Sequence, residues 1–581
     1  MKKPQTPTIA SALSLFLFLL LPVVAQAQFT FTTNSDGTLN ISQYTGPGGA
    51  VVIPNKTNNL RVTSIGDAAF FNNATLTSVT VGTNVGIIAD QAFSYSSMTN
   101  VTLPASVTNI AFNAFQDCYS LTAITVATND PDFSSAAGVL FDKTQTTLIM
   151  FPEGKAGSYA VPNSVTNISI YAFFGSSNLT SVALSTNVNT IEDYAFYNCP
   201  GLTAFTVNTN NLWYNSVAGA LFDKGQGTLI QYPVGNLATS YTMPNTVTNI
   251  GMEAFYGSAH LTNLTFGTNV IIIGGAAFEY STALTSITLP NSVTVIGGDA
   301  FVDCSALTTI SIGTGLTNIQ YQAFLGCPSI TTITMAAGNP SFSSVGGVLF
   351  NKNQTTLYLY PTGNNASTYA VPGSVTNIVQ DAFMDAYYLT DITLDSNLQS
   401  IGDSAFADCF SLTSISIPNS VTNMGYSVFF YDFSLTNVVI GSGLSGSGLS
   451  SVGFQDFANC FNLAAVYFTS NAPAMNSDVF DNDTAATAYY LPGTTGWSAT
   501  FDGLPTALWL PQITDSAVRT NQFSFYVDWA SDQTVVVQAC TNLSHPAWSP
   551  LQTNLLTSST WYFSDPQWTN YPSRFYRAIS Q

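Results

Sequence analysis

Six of the seven cysteines, Cys118, Cys199, Cys304, Cys327, Cys409 and Cys460, stand three residues after a phenylalanine. In an oxidising compartment such thiols would pair. The same place after other phenylalanines is held by Ser96, Ser176, Ser258, Ser281 and Ala386. A slot shared by Cys, Ser and Ala reads as a small, tightly packed site, which a free thiol fills well. Cys304 and Cys327 alone fall on neighbouring units, within reach of a disulfide, and Cys540 is isolated. The two histidines, His260 and His545, have no Cys, Asp or Glu at metal-ligand spacing, so Ser-His-Asp and Cys-His arrangements have almost no candidates. Asp67, Asp90, Asp193 and Asp403 lie three residues before a phenylalanine, and Asp299 and Asp381 two before. A row of acids suits Ca²⁺, but the same residues suit the cap of a short helical turn, and the cap is the reading adopted. No motif isolates a pair of catalytic acids. Gly441 to Gly448 is rich in Gly and Ser without a following Lys or helix signal, so it reads as a loop and not a phosphate cradle. No catalytic residue, metal or cofactor is expected.

Composition narrows the partners. Only 7% of the 581 residues are charged, against about 25% in ordinary soluble domains. Thr, Asn and Ser carry the polar surface, which favours strands over long helices. With 31 acids against 11 bases and a net charge of −20, nucleic acid would be repelled.

The phenylalanines themselves form the organising pattern. Ala-Phe recurs with its Phe at 70, 93, 115, 173, 196, 255, 278, 301, 324, 383 and 406, and variants place Phe at 429, 457 and 480. Most spacings are 22 or 23 residues, three are 58 or 59, and one is 28. A leucine follows six residues on, then apolar residues three and five later, as in Leu284-Thr-Ser-Ile287-Thr-Leu289-Pro290. That alternation predicts a short strand with one buried face. A turn, a segment such as Val293-Thr-Val-Ile296 and the next Ala-Phe complete the unit. One such unit cannot bury its apolar face alone, so the units must stack. The Thr-Asn pairs ending at Asn109, Asn167, Asn249, Asn318, Asn377 and Asn423 are expected to bond between units.

Cys304-Ser-Ala-Leu307-Thr-Thr-Ile310-Ser-Ile312 and Cys409-Phe-Ser-Leu412-Thr-Ser-Ile415-Ser-Ile417-Pro418 resemble the BspA-type leucine-rich repeats of bacterial surface proteins. The resemblance spans about residues 29 to 509. It implies a β-rich, curved leucine-rich-repeat solenoid of 23-residue units with a parallel sheet along one face. It also implies cell-surface attachment and protein binding, with no shared catalytic site.

Each long spacing holds one unit plus an insert of about 36 residues. The inserts carry Gly138-Val-Leu-Phe141-Asp142-Lys143, Gly219-Ala-Leu-Phe222-Asp223-Lys224 and Gly347-Val-Leu-Phe350-Asn351-Lys352, and end at Phe151-Pro152, Tyr232-Pro233 and Tyr360-Pro361. Two β-prone runs around a polar turn predict a hairpin that projects from, or extends, one edge of the solenoid. A structural role suffices for them, but inserts in repeat proteins tend to share one face. Their aromatics Trp213, Tyr214, Phe133 and Phe342 are therefore the candidate ligand contacts.

The ends read differently. Lys2 and Lys3, the apolar run Leu13 to Val24 and Ala25-Gln26-Ala27 form the layout of a signal peptide over residues 1–27, cleaved after Ala27. Residues 28–60 are expected to cap the solenoid, which occupies 61–510 with an aromatic closing cap around Trp497 and Trp509. Short strand-like runs over 511–581 predict a small antiparallel β-sandwich, Ig-like or fibronectin-like. The expectation is thus a secreted or cell-surface, non-enzymatic binding protein for an extracellular protein or glycan, with no membrane span after cleavage. A structural envelope or matrix scaffold is the alternative, and an Asp-dependent glycan hydrolase is the least favoured reading.

Overall fold

The computed structural model describes residues 28–444, 451–475 and 478–581; the expected signal peptide and the loop beyond Leu444 lie outside the described residues. Short strands and turns dominate, and the chain divides between Gly201 and Leu202 into two compact units.

Both units are built from the same coil. In the second unit, Ser286–Leu289 pairs in parallel with Thr309–Ile312, setting Ile287 against Ile310 and Leu289 against Ile312. Val295–Ile296 pairs in parallel with Asn318–Ile319 in a second sheet. Ile287, Leu289 and Ile296 are buried while Ser286 and Thr288 face out, the outcome expected of period-two alternation. The Ala-Phe turn is laddered as well: Phe278 N–H donates to Ala300 O at 2.7 Å and Phe301 N–H to Ala323 O at 2.8 Å. The repeat rings stack, with Phe255, Phe278 and Phe301 separated by 4.8 and 5.0 Å. Each such ring pair adds about 0.5–1.5 kcal/mol to the area it buries.

The abundance of threonine has a structural cause. The Thr that follows the repeat Leu donates its hydroxyl to the backbone carbonyl one coil earlier, from Thr262 to Thr239 and on through Thr285, Thr308 and Thr331, at 2.9–3.2 Å. Polar surface is thereby spent on joining coils rather than on charge.

Where helical turns carrying Asp caps were expected, the turns are not helical. The residues two before and two after the repeat Phe adopt left-handed backbone in every coil but that of Phe115, where only Asp117 does; Asp299 (φ 57°) and Asp303 (φ 55°) do so around Phe301. Two left-handed residues so close together stop any helix. Asp403 instead accepts the N–H of Tyr426, one coil on, at 2.8 Å: the acid joins coils.

The inserts extend the solenoid and do not project from it. In the third, Phe342–Val345 pairs antiparallel with Val348–Asn351, which pairs antiparallel with Thr356–Leu359. Thr356–Leu359 then pairs in parallel with Asn377–Ile378 of the next coil. Tyr360 stacks on Phe383 at 5.1 Å, so it occupies the repeat-Phe position, as Phe151 does against Phe173 at 5.2 Å. Each insert is therefore an enlarged coil. Its turn needs two left-handed residues, Gly346 (φ 59°) and Gly347 (φ 86°) in the third, a geometry that matches the strand twist. Val348, Leu349 and Phe350 are all buried. Leu349 belongs to the apolar cluster running from Ala220 to Phe342, whereas Val348 and Phe350 belong to the one running on to Leu504. This strand is a septum between two cores.

At the N-terminal end, Phe29–Thr33 pairs antiparallel with Leu39–Tyr44, which pairs in parallel with Leu60–Ile65. Tyr44 opens the ring stack, 4.9 Å from Phe70. At the other end, Gln512–Arg519, Gln522–Asp528 and Thr560–Asp565 form one antiparallel sheet, and Thr534–Cys540, Ser549–Leu555 and Phe575–Ser580 another. Phe525, Val527, Val535, Val537 and Phe563 fill the space between them. Leu491 and Trp509 share that cluster, and Trp529 Nε1–H donates to Trp509 O at 2.9 Å, tying this module to the last coils.

Candidate binding surfaces

Each hairpin begins at a buried side chain that caps it. Asp130, Asn211 and Asn339, all fully buried, accept the N–H groups of the residue before the first strand and of the strand's first residue; for Asn211 these are Trp213 and Tyr214, both at 2.8 Å. The lysine of each Phe-Asp/Asn-Lys motif then reaches back to a carbonyl before the hairpin: Lys143 to Thr128 at 3.1 Å, Lys224 to Asn211, and Lys352 to Ala337 at 3.3 Å. The shared motif thus builds the hairpin.

These caps place the four candidate aromatics. Tyr214, Phe133 and Phe342 occupy one position, the first strand residue, from which Phe133 and Phe342 pack on the cores. Tyr214 and Phe133 are half-buried. Phe342 is 4% exposed and packs edge-on against Tyr358 at 5.2 Å, so it presents almost no surface to a partner. Trp213 stands where the other inserts have Asp132 and Ser341, and it is 44% exposed.

A larger aromatic surface lies on the turn edge of the coils. Four residues after the repeat Phe, Tyr387, Phe410, Phe433 and Phe461 stack in one row at 5.2, 5.1 and 5.7 Å. Phe410, Phe433 and Phe461 are 37, 36 and 53% exposed. Beside the row, Tyr387 O–H donates to Asp385 at 2.7 Å, and burial followed by repulsion from Asp385 pushes Asp408 up to about 6. In the first unit Phe112, Tyr171 and Tyr194 stack at 5.4 and 5.1 Å. Aromatics recurring four residues after the repeat Phe were the sequence signal for the longer row.

The cysteine slot is polar in function. Cys118, Cys199, Cys304, Cys327, Cys409 and Cys460 each donate Sγ–H to the carbonyl of the repeat Phe one coil earlier, at 3.0–3.2 Å. Ser281 does the same through its hydroxyl at 3.0 Å. All seven cysteines are free and buried, Cys304 and Cys327 included. Burial pushes Cys118 and Cys199 up to about 12, which leaves no thiolate for chemistry at neutral pH. Among the described residues no group of three His, Cys, Asp or Glu side chains is placed to hold a metal.

The BspA-type leucine-rich repeat pattern matches residues 51–160, 150–218, 235–356 and 358–487, in six copies. The chain belongs to the BspA-type leucine-rich repeat family. Its coils resemble those of a leucine-rich repeat protein from Eubacterium ventriosum (24% identity, TM-score 0.40, covering 69% of this chain and 92% of that one). They also resemble a leucine-rich cell surface protein from Faecalibacterium prausnitzii (23%, 0.33, 76% and 93%) and the pneumococcal vaccine antigen PcpA (20%, 0.39, 62% and 91%). No curated protein matches this BspA-type chain in sequence.

Proposed function

We propose that this BspA-type protein is exported and acts, without catalysis, as a surface or secreted binding protein for an extracellular protein or glycan. The observation that carries the reading is the exposed row Tyr387–Phe410–Phe433–Phe461. Four rings held by separate coils present rigid apolar area that loses little entropy on binding, and aromatic residues dominate binding energy at such surfaces. Contiguous exposed apolar strips on a folded protein mark interaction sites. Trp213, with its neighbour Tyr214, offers a second contact region on the second unit, and Phe133 marks the corresponding hairpin of the first unit.

The test is capture of the mature chain on arrays of extracellular proteins and glycans. Phe410→Ala with Phe433→Ala should weaken a saturable interaction by tenfold or more at unchanged melting temperature. Trp213→Ala reports separately on the hairpins. Loss on Trp213→Ala alone would move the contact to the hairpins. Self-assembly with no captured partner would favour the scaffold reading.

A further inference from the structure

The enlarged coils open gaps in the turn edge. Five positions separate Ile378 from Phe383, but only three separate Leu357 from its counterpart Tyr360. The coil at Tyr360 therefore lacks two residues of the outward turn that its neighbours carry, and the turns on either side face each other across it. At the first insert that gap is bridged by the stacking of Phe112 on Tyr171. At the third, Gln380 Nε2–H donates to Tyr321 OH at 3.2 Å across the lip, and a cavity of about 230 Å³ remains beneath.

The cavity is lined by Tyr321, Tyr358 and Met384, with Gln322, Gln380 and Asp381 as polar groups. Asp381 is the one carboxylate in the lining, and no lysine, arginine or histidine lines it. Ring faces and a thioether beside a half-buried carboxylate attract positive charge on an apolar body, and no cationic side chain in the lining would offset the charge of an anion. The coil turn fixes Asp381 in left-handed backbone (φ 56°), and the side chain of Gln322, in the same lining, favours its charged form.

We propose that this cleft binds a small organic ammonium group, with Asp381 as its counter-ion and Tyr321 and Tyr358 as its aromatic walls. The group belongs to a free amine or to a lysine side chain of a partner. The groups that face Asp381 are Asp403 and Asp385, which repel its charge, and Gln322, which favours it. Burial and those repulsions push Asp381 up to about 6. A bound cation favours the ionised form, so affinity rises between pH 5 and 7.5.

The experiment titrates phenethylammonium and its neutral analogue 2-phenylethanol into the full mature chain by calorimetry at pH 5 and 7.5. A third arm uses a short peptide with one internal lysine. The ammonium ion is expected to bind at pH 7.5, at least tenfold better than the alcohol and several-fold better than at pH 5. Asp381→Asn, an exchange tolerated in left-handed backbone, should remove that preference with the melting temperature unchanged, and Tyr321→Ala should weaken both ligands. Peptide binding that competes with phenethylammonium assigns the site to a lysine side chain, and phenethylammonium binding alone assigns it to free amines. Equal binding of ammonium and alcohol, indifference to Asp381→Asn, or no binding at all overturns the proposal. The aromatic row is tested separately, at Phe410 and Phe433, which lie on later coils than Asp381.

Discussion

At the residue scale, single side chains reach from one coil to the next, and this is where the sequence was least readable. Cys, Ser and Ala in one slot were legible as a small site. That the slot prefers a hydrogen-bond donor was not, because its acceptor, a backbone carbonyl, is 26 residues earlier for Cys304 and carries no sequence mark. The hairpin caps show the same limit. Asn339 Nδ2–H donates to Gly313 O at 3.2 Å and Leu316 O at 3.0 Å, while Asp130, its counterpart, has a buried Oδ2 with no donor. An unsatisfied buried oxygen costs about 1–3 kcal/mol. Asp130→Asn should therefore stabilise the first unit by about 1 kcal/mol, measured by urea unfolding. A destabilised variant would mean that the acid serves a purpose the amide cannot.

At the element scale, the strand of each coil and its buried face followed directly from the L-x-x-I-x-L alternation. The hairpins were visible too, but their merger with the coil stack was not. Pairing of Thr356–Leu359 with the next coil depends on where the chain lies after the turn, and Tyr360-Pro361 does not read like Ala-Phe. The septum makes a sharp expectation. Leu349→Ala and Phe350→Ala each remove a fully buried side chain and should cost about 2–5 kcal/mol. Because the two residues face different cores, hydrogen exchange should quicken mainly over the coils before residue 342 for Leu349→Ala. For Phe350→Ala it should quicken mainly over those after 356. Identical exchange patterns would show that the septum does not separate the cores.

For the molecule as a whole, scarce charge makes the few buried acids matter. Burial pushes Glu153 up to about 8, against the opposing N–H of Asp117, and pushes Asp456 to about 8 and Asp483 to about 7. Asp432, in the cysteine slot, is likewise raised well above the ordinary carboxylate range by burial. An acid raised in the folded state keeps its proton there after the unfolded chain has lost it. Its stabilisation is full below the unfolded value near 4 and is lost as pH rises through the folded value. Melting temperature should accordingly be higher at pH 5 than at pH 8. Asp432→Ser, which restores the hydroxyl that Ser281 uses, should raise it at pH 8 and leave it nearly unchanged at pH 4. A profile that is flat or rises over this range would contradict the burial of these carboxyls. The septum at Val348–Asn351 also has a mechanical meaning. Stretched from its ends, a uniform stack would peel coil after coil, whereas this second unit holds a built-in arrest point. Pulled by a single-molecule tether, it should lengthen in discrete steps, pausing with the coils on one side of residue 348 intact after those on the other have given way.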